Sequence, residues 1–204
     1  MRWVVVVLSA LALAASLVGS AAGASGFKRH SVPEAGVSVS VPASWVVISS
    51  KLPPALVDRL LRENPKLAPF MQSLRSPSSP TKFIALDPAV RKGFATNVNV
   101  VVAAVPSWMT FPYYRKALPL EIRNIAQGPV QQRAATIHGA RAVRLLYHLP
   151  LHFGGRSFTV QTLQYAFLRK GRSVVVTYTT LPVLAGRYAR TFSSSAATIR
   201  FSGA

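Results

Sequence analysis

Cysteine is absent from this chain of 204 residues, and acidic side chains are scarce, with 5 Asp and Glu against 24 Lys and Arg. Without cysteine there is no disulfide, no thiolate zinc site and no thiol nucleophile. None of the five acids pairs evidently with another, as glycosidase chemistry requires. The sequence also lacks a P-loop, a G-x-G-x-x-G fingerprint and a G-x-S-x-G nucleophile elbow. Local motifs therefore favour no enzyme class, and we expect no catalytic residue.

Metal and cofactor sites are not indicated either. His148 and His152 have the i, i+4 spacing that brings two imidazoles to one zinc ion on a continuous helix. Pro150 lies between them and would break such a helix, and no glutamate follows His148. We therefore interpret the two histidines as polar residues at the mouth of a hairpin and predict neither a metal nor a cofactor.

The first 24 residues have the pattern of a secretory signal peptide. Arg2 supplies the positive start, residues 3–18 are almost wholly apolar, and Ala22-Gly23-Ala24 matches the small-residue cleavage pattern. We predict export with cleavage after Ala24, which leaves residues 25–204 as one domain. The alternative is an uncleaved N-terminal membrane anchor, since a spanning helix needs about 20 apolar residues.

The formal net charge of +19 predicts negatively charged partners. Outside the cytoplasm these are anionic envelope polymers, lipid headgroups and acidic proteins, whereas nucleic acid fits the charge but not the compartment. The cations are spread from Lys28 to Arg200 without a run of five, so the alternative is a solvated basic surface with no specific partner. The sequence does not indicate an oligomeric state.

Hydrophobic periodicity predicts an α+β domain with a largely antiparallel sheet, because many strand-like segments are joined by hairpin-length turns. The predicted strands cover residues 30–33, 37–41, 83–86, 94–105, 130–137, 140–149, 157–169, 173–180 and 198–202. Two consecutive helices are predicted between Pro53 and Leu74, a third over 114–127 and a fourth over 183–195. Pro119 is the alternative start of the third helix, since proline is favoured in a first turn.

Two asparagines on one face of the longest early strand form a candidate ligand-facing patch. Asparagine is depleted in strands, yet Asn97 and Asn99 lie two residues apart. The alternatives are solvation at a sheet edge or a side-chain bond to a neighbouring loop. Arg91 and Lys92, at the basic tip of the preceding turn, belong to the same candidate surface.

A second candidate surface interleaves aromatic and basic residues at Tyr113, Tyr114, Arg115 and Lys116. Aromatic rings and long cationic side chains together are typical of membrane and polyanion interfaces. The alternative is that at least two aromatics of the segment that starts at Phe111 pack in the core.

Five short segments together carry a family likeness: Ser40–Trp45, Ala85–Asp87, Phe94–Val100, Ala142–Arg144 and Ile199–Ser202. They resemble the PsbP-like superfamily, and within it the exported actinobacterial branch that includes the mycobacterial LpqN-type lipoproteins. The resemblance implies an α/β/α sandwich, with an antiparallel sheet between helices, and an accessory or binding role without catalysis. The anchoring cysteine of the lipoproteins is missing, which favours a freely released protein.

Charge and resemblance together predict an exported, noncatalytic binding or accessory protein of the cell envelope or extracellular space, with an anionic or protein partner. A secreted hydrolase is one alternative, because an active site can be assembled from residues distant in sequence. A peripheral lipid-surface binding protein is another.

Overall fold

The computed structural model describes residues 26–49, 76, 78–153 and 156–202. The predicted signal peptide and the two helices predicted between Pro53 and Leu74 lie outside these residues. Within the described ranges, no helix is both long and apolar enough to cross a membrane.

In the part of the chain that the structure describes, ten strands form two sheets, and every paired strand runs antiparallel to its neighbour, as predicted. The larger sheet has the order β3-β4-β5-β9-β8-β7-β6 and the smaller one β1-β2-β10. The strands are β1 (Phe27–Val32), β2 (Val37–Pro42), β3 (Val46–Ser49), β4 (Thr81–Leu86), β5 (Asn97–Ala104), β6 (Gln127–Ile137), β7 (Ala140–Phe153), β8 (Arg156–Arg169), β9 (Arg172–Thr180) and β10 (Arg200–Phe201).

Two tight turns set the register of the long hairpins in the larger sheet. His138-Gly139 joins β6 to β7 and Lys170-Gly171 joins β8 to β9, and all four residues have positive φ between 45° and 77°. Consecutive positive φ values are the mark of a type I′ turn, whose twist matches that of the flanking strands. Both turns were predicted from their sequence.

The two described helices cover opposite faces of the larger sheet, in agreement with the predicted α+β sandwich. Helix α1 (Phe111–Arg123) buries Tyr114, Leu118 and Ile122 in one apolar cluster with residues of β7 and β9. Helix α2 (Ala185–Ala196) joins the other cluster through residues such as Phe192. The smaller sheet shares that second layer with α2, which the single predicted sheet did not anticipate.

Helix α1 begins three residues before its predicted start, and Pro119 lies inside it rather than at its first turn. Pro112 occupies the first turn, where a missing N–H costs nothing. Pro119 cannot donate to the carbonyl of Arg115, four residues before it. The Nε2 of Gln132 donates to that carbonyl at 2.8 Å, so a side chain of β6 replaces the lost helical bond.

Two strand predictions also need correction. The strand predicted over 94–105 begins only at Asn97, because Phe94 and Arg91 exchange both backbone hydrogen bonds at 3.0 Å in a turn. Strand β3 was not predicted. Its four residues are too few for a periodic signal, and it forms by pairing with β4.

Candidate functional site

Asn97 and Asn99 lie on an interior strand, so the interpretation of edge-strand solvation is wrong. Strand β5 pairs with β4 on one side and β9 on the other. The two side chains are 0% and 1% exposed, and Nδ2 of Asn97 donates to the carbonyl of Ala95 at 3.1 Å. Val98 and Val100, which alternate with the asparagines along β5, belong to the cluster on the α2 side of the sheet. Because successive side chains of a strand point to opposite faces, both asparagines face the α1 side. They are therefore buried and cannot contact a partner at the outer surface.

Strand register extends this polar patch across four neighbouring strands. Asn97 pairs with Thr179, Thr179 with Thr162, and Thr162 with Tyr147. A second row runs from Asn99 to Thr177 and Gln164, where Nε2 of Gln164 donates to Oγ1 of Thr177 at 3.1 Å. We call these seven residues the buried polar rows.

Four oxygens of the buried polar rows have no hydrogen-bond partner within the part of the chain that the structure describes. They are Oδ1 of Asn97, Oδ1 of Asn99, Oγ1 of Thr162 and the hydroxyl of Tyr147. An unmade hydrogen bond on a buried polar group costs about 1–3 kcal/mol. Burial also raises the pKa of Tyr147 far above its ordinary value, so its hydroxyl stays protonated.

Arg91 and Lys92 lie on the same turn, but only Lys92 is exposed, whereas Arg91 has structural contacts. The hydroxyl of Tyr188, on α2, donates to the carboxylate of Asp87, and the guanidinium of Arg91 also contacts that hydroxyl. Burial, together with the hydrogen bond to Asp87, raises the pKa of Tyr188. Arg91 therefore helps to hold α2 against the turn, whereas Lys92 remains exposed.

The start of α1 separates the two adjacent tyrosines. Tyr114 is fully buried, and its hydroxyl lies 2.6 Å from Oγ of Ser173, so it cannot contact a partner. Tyr113 is 53% exposed and packs edge to face against Trp108, which is 58% exposed, with ring centroids 5.3 Å apart. Arg115 and Lys116 are exposed on the same helix.

A cluster of cations that no sequence pattern predicts lies at one end of the molecule. Arg169, Lys170 and Arg172 surround the β8–β9 turn, and Arg200 lies on the closing strand. They flank the ring of Phe201, and the guanidinium carbon of Arg169 lies 4.9 Å from the centroid of that ring. We call these four cations the basic end.

Two shallow grooves open at the basic end. One, of about 290 Å³, is lined by Arg169, Lys170 and Arg172 together with Gly36 and Phe201. The other, of about 420 Å³, adjoins it across Phe201 and Arg169 and is also lined by His138 and Arg200. Both grooves therefore combine an aromatic surface with cationic side chains.

The charges of the basic end are largely uncompensated. Within the described ranges, neither Lys170 nor Arg200 contacts a carboxylate. Arg172 donates through Nη1 to the backbone oxygen of Glu34 at 3.4 Å, and so uses a neutral acceptor. An arginine fork left open in this way can accept a phosphate or carboxylate in a bidentate manner.

The described residues contain no group of three or more His, Asp or Glu placed to hold an ion. His148 and His152 both lie on β7, where four residues span about 13 Å of backbone rather than one helical turn. The ring of His138 bonds through Nε2 to the carbonyl of Ala197 at 2.8 Å.

Comparison with known proteins yields matches in structure only. No family model matches the chain, and no curated protein matches it in sequence. Cyanobacterial PsbP (CyanoP) from Synechocystis sp. PCC 6803 superimposes with a TM-score of 0.53 at 14% identity, over 89% of this chain and 95% of that one. LpqN of Mycobacterium tuberculosis, described as involved in cell envelope biogenesis, gives 0.51 at 11% identity, over 88% and 87%.

The chain has a PsbP-like fold. At these identities the likeness extends to architecture alone, and the actinobacterial branch of the superfamily is not distinguished by it. Within this fold, the β8–β9 turn places the basic end where these two long strands meet. The residues of the basic end are distant in sequence from the predicted candidate residues.

Proposed function

We propose that this chain is an exported, noncatalytic binding protein of the cell envelope that engages an anionic partner at the basic end. The observation that carries the proposal is the convergence of Arg169, Lys170, Arg172 and Arg200 on two grooves around Phe201. An even scatter of the same charges would serve solubility alone, whereas cations clustered beside a cleft raise the local concentration of an anion.

Elements distant in sequence build the basic end, which supports a specific site rather than a compositional bias. The register of β8 with β9 places Arg169 opposite Arg172 across the tight turn. Two like charges directly opposite each other are destabilising, so the arrangement costs stability unless an anion offsets it. A phosphate or carboxylate group between the two guanidinium groups would be attracted by both and would offset their mutual repulsion.

Export is supported by the signal-peptide pattern of residues 1–24. A PsbP-like fold also occurs in LpqN, a protein involved in cell envelope biogenesis, which makes an envelope role a natural extension for this chain. N-terminal sequencing of the protein made from the full gene tests export, and it should begin at Ser25. An intact Met1 together with a cytosolic pool would contradict it.

Binding is tested with a fluorescent polyphosphate titrated into protein expressed from the full sequence. The variant Arg172→Gln/Arg200→Gln removes two cations of the basic end, and Arg187→Gln/Arg190→Gln removes two exposed arginines of α2 as a matched control. We expect the first variant to weaken binding about tenfold or more and to lower the slope of log K against log salt by about 1–2. Equal effects of the two variants would show that only net charge matters.

The hydrolase alternative is separated by turnover assays on generic ester, glycoside and phosphate-ester substrates. The proposal expects no turnover above that of a mock purification. Turnover that a single point substitution abolishes would overturn the noncatalytic assignment, whatever the polyphosphate titration shows.

A further inference from the structure

An exposed aromatic pair lies at the junction of α1 with the loop before it. Trp108 and Tyr113 are 58% and 53% exposed and contact each other edge to face. Large aromatic side chains are usually buried, so two that meet on the surface mark a contact site. Trp and Tyr, with an apolar body and a polar edge, are also the residues enriched where a membrane meets water.

Helix α1 continues this surface as a single stripe. At about 100° per residue, Tyr113, Lys116, Leu120 and Arg123 fall within an arc of roughly 80°. This arc is opposite the face that Tyr114, Leu118 and Ile122 bury against the sheet. Leu120 is 57% exposed, and Lys116 and Arg123 are also exposed. Aromatic, basic, apolar and basic side chains thus follow one another along the exposed face of the helix. We call these four residues, together with Trp108, the α1 ridge.

The surroundings of the α1 ridge are positive. The guanidinium of Arg141 lies 4.3 Å from the ring centroid of Phe111 at the start of the helix. The backbone N–H of Val105 donates to the carbonyl of Gly171 at 3.0 Å, which brings the Lys170 turn beside the loop that carries Trp108. The one acid of the helix, Glu121, lies off the ridge, about 100° round the helix from Leu120.

We propose that the α1 ridge docks the protein onto the surface of an anionic lipid bilayer. Trp108, Tyr113 and Leu120 would enter the headgroup region, while Lys116 and Arg123 reach the lipid phosphates. An anionic bilayer offers both lipid phosphates and an apolar interior at every point of its surface, so it suits the alternating basic and apolar side chains of the ridge. A protein partner would instead need a groove whose acidic and apolar residues alternate in the same order. The α1 ridge shares no residue with the basic end, so this inference goes beyond the proposed function.

Tryptophan fluorescence tests the docking directly. In a Trp3→Phe background, Trp108 and the buried Trp45 are the remaining tryptophans. We expect vesicles of equal phosphatidylglycerol and phosphatidylcholine to shift the emission to shorter wavelength, and lipids brominated near the headgroup to quench it. Pure phosphatidylcholine vesicles should give little response, since the cations supply much of the binding. Adding Trp108→Phe should remove the shift and leave the Trp45 signal unchanged.

Vesicle co-sedimentation of single variants measures each contribution. Lys116→Gln or Arg123→Gln should weaken binding about fivefold each, the usual effect of one cation near an anionic membrane. Trp108→Ala or Leu120→Ala should weaken it roughly tenfold, because each loses apolar contact area. Phe27→Ala, which removes an aromatic side chain 44% exposed on β1, and Arg187→Gln are the matched controls and should bind normally.

Three results would overturn the inference. The first is no binding to the anionic vesicles at about 0.1 M salt, where surface attraction still extends about 10 Å. The second is binding that Trp108→Ala and Leu120→Ala leave intact but Arg172→Gln/Arg200→Gln abolishes, which would assign the lipid to the basic end. The third is capture of an acidic protein through the α1 ridge without vesicle binding. The polyphosphate titration tests the proposed function separately, because it contains no lipid and none of its variants lies in the α1 ridge.

Discussion

Replacing Tyr147 with phenylalanine should stabilise the protein, whereas the same change at Tyr178 should destabilise it. Both side chains are 1% exposed in the larger sheet. The hydroxyl of Tyr178 donates to Oγ of Ser195 at 3.0 Å, but that of Tyr147 has no partner in the described part of the chain. A buried hydroxyl without a partner costs about 1–3 kcal/mol, and a made hydrogen bond contributes about 1 kcal/mol net.

Urea unfolding of the two variants measures this difference. Tyr147→Phe should raise the free energy of unfolding by about 1 kcal/mol and Tyr178→Phe should lower it by about 1 kcal/mol. With an m-value of about 2 kcal/mol/M, the midpoints should move roughly 0.5 M in opposite directions while m stays constant. If Tyr147→Phe lowers the midpoint as much as Tyr178→Phe, the hydroxyl is hydrogen-bonded in solution, and our account of the buried polar rows is wrong.

Three further changes test other parts of the structure. Burial, and then the charge of Lys28, lower the pKa of His30, so the unfolded state binds more protons than the folded state near pH 6.5. The free energy of unfolding should therefore fall as the pH drops through that value. The urea midpoint of His30→Gln should depend less on pH than that of the unchanged protein. Ser195→Ala should lower the free energy of unfolding in urea by about 2 kcal/mol, because Oγ of Ser195 accepts from Tyr178 and donates to a backbone carbonyl at 2.6 Å. An unchanged free energy of unfolding would contradict these two bonds. Gly171→Ala should lower the thermal midpoint by the equivalent of about 1–2 kcal/mol, since φ is 72° there, and an unchanged midpoint would argue against the type I′ turn.

The sequence predicts most strands because their pattern is local. Val37, Val39 and Val41 alternate with serines, and the His138-Gly139 and Lys170-Gly171 pairs mark their turns without reference to the rest of the chain. The alternative start of α1 at Pro119 is wrong for the opposite reason. A proline inside a helix needs an outside donor for the carbonyl that it leaves free, and Gln132 is 17 residues away from Arg115.

The candidate sites depend still more on pairing between distant segments. Asn97 and Asn99 look like surface residues until β4 and β9 are seen to flank their strand. The basic end joins turn residues of one hairpin to Arg200 on the closing strand, and no run of cations in the sequence marks it. Only the predicted pairing of the segments at 157–169 and 173–180 could have pointed to Arg169 and Arg172 as neighbours.

An NMR titration of the labelled protein with polyphosphate shows, residue by residue, whether the basic end binds an anionic partner. We expect the largest amide shifts on residues 138–140, 169–172 and 200–202, and we expect Arg172→Gln/Arg200→Gln to remove them. Shifts spread over all exposed cations, or centred on Arg187 and Arg190 of α2, would contradict it.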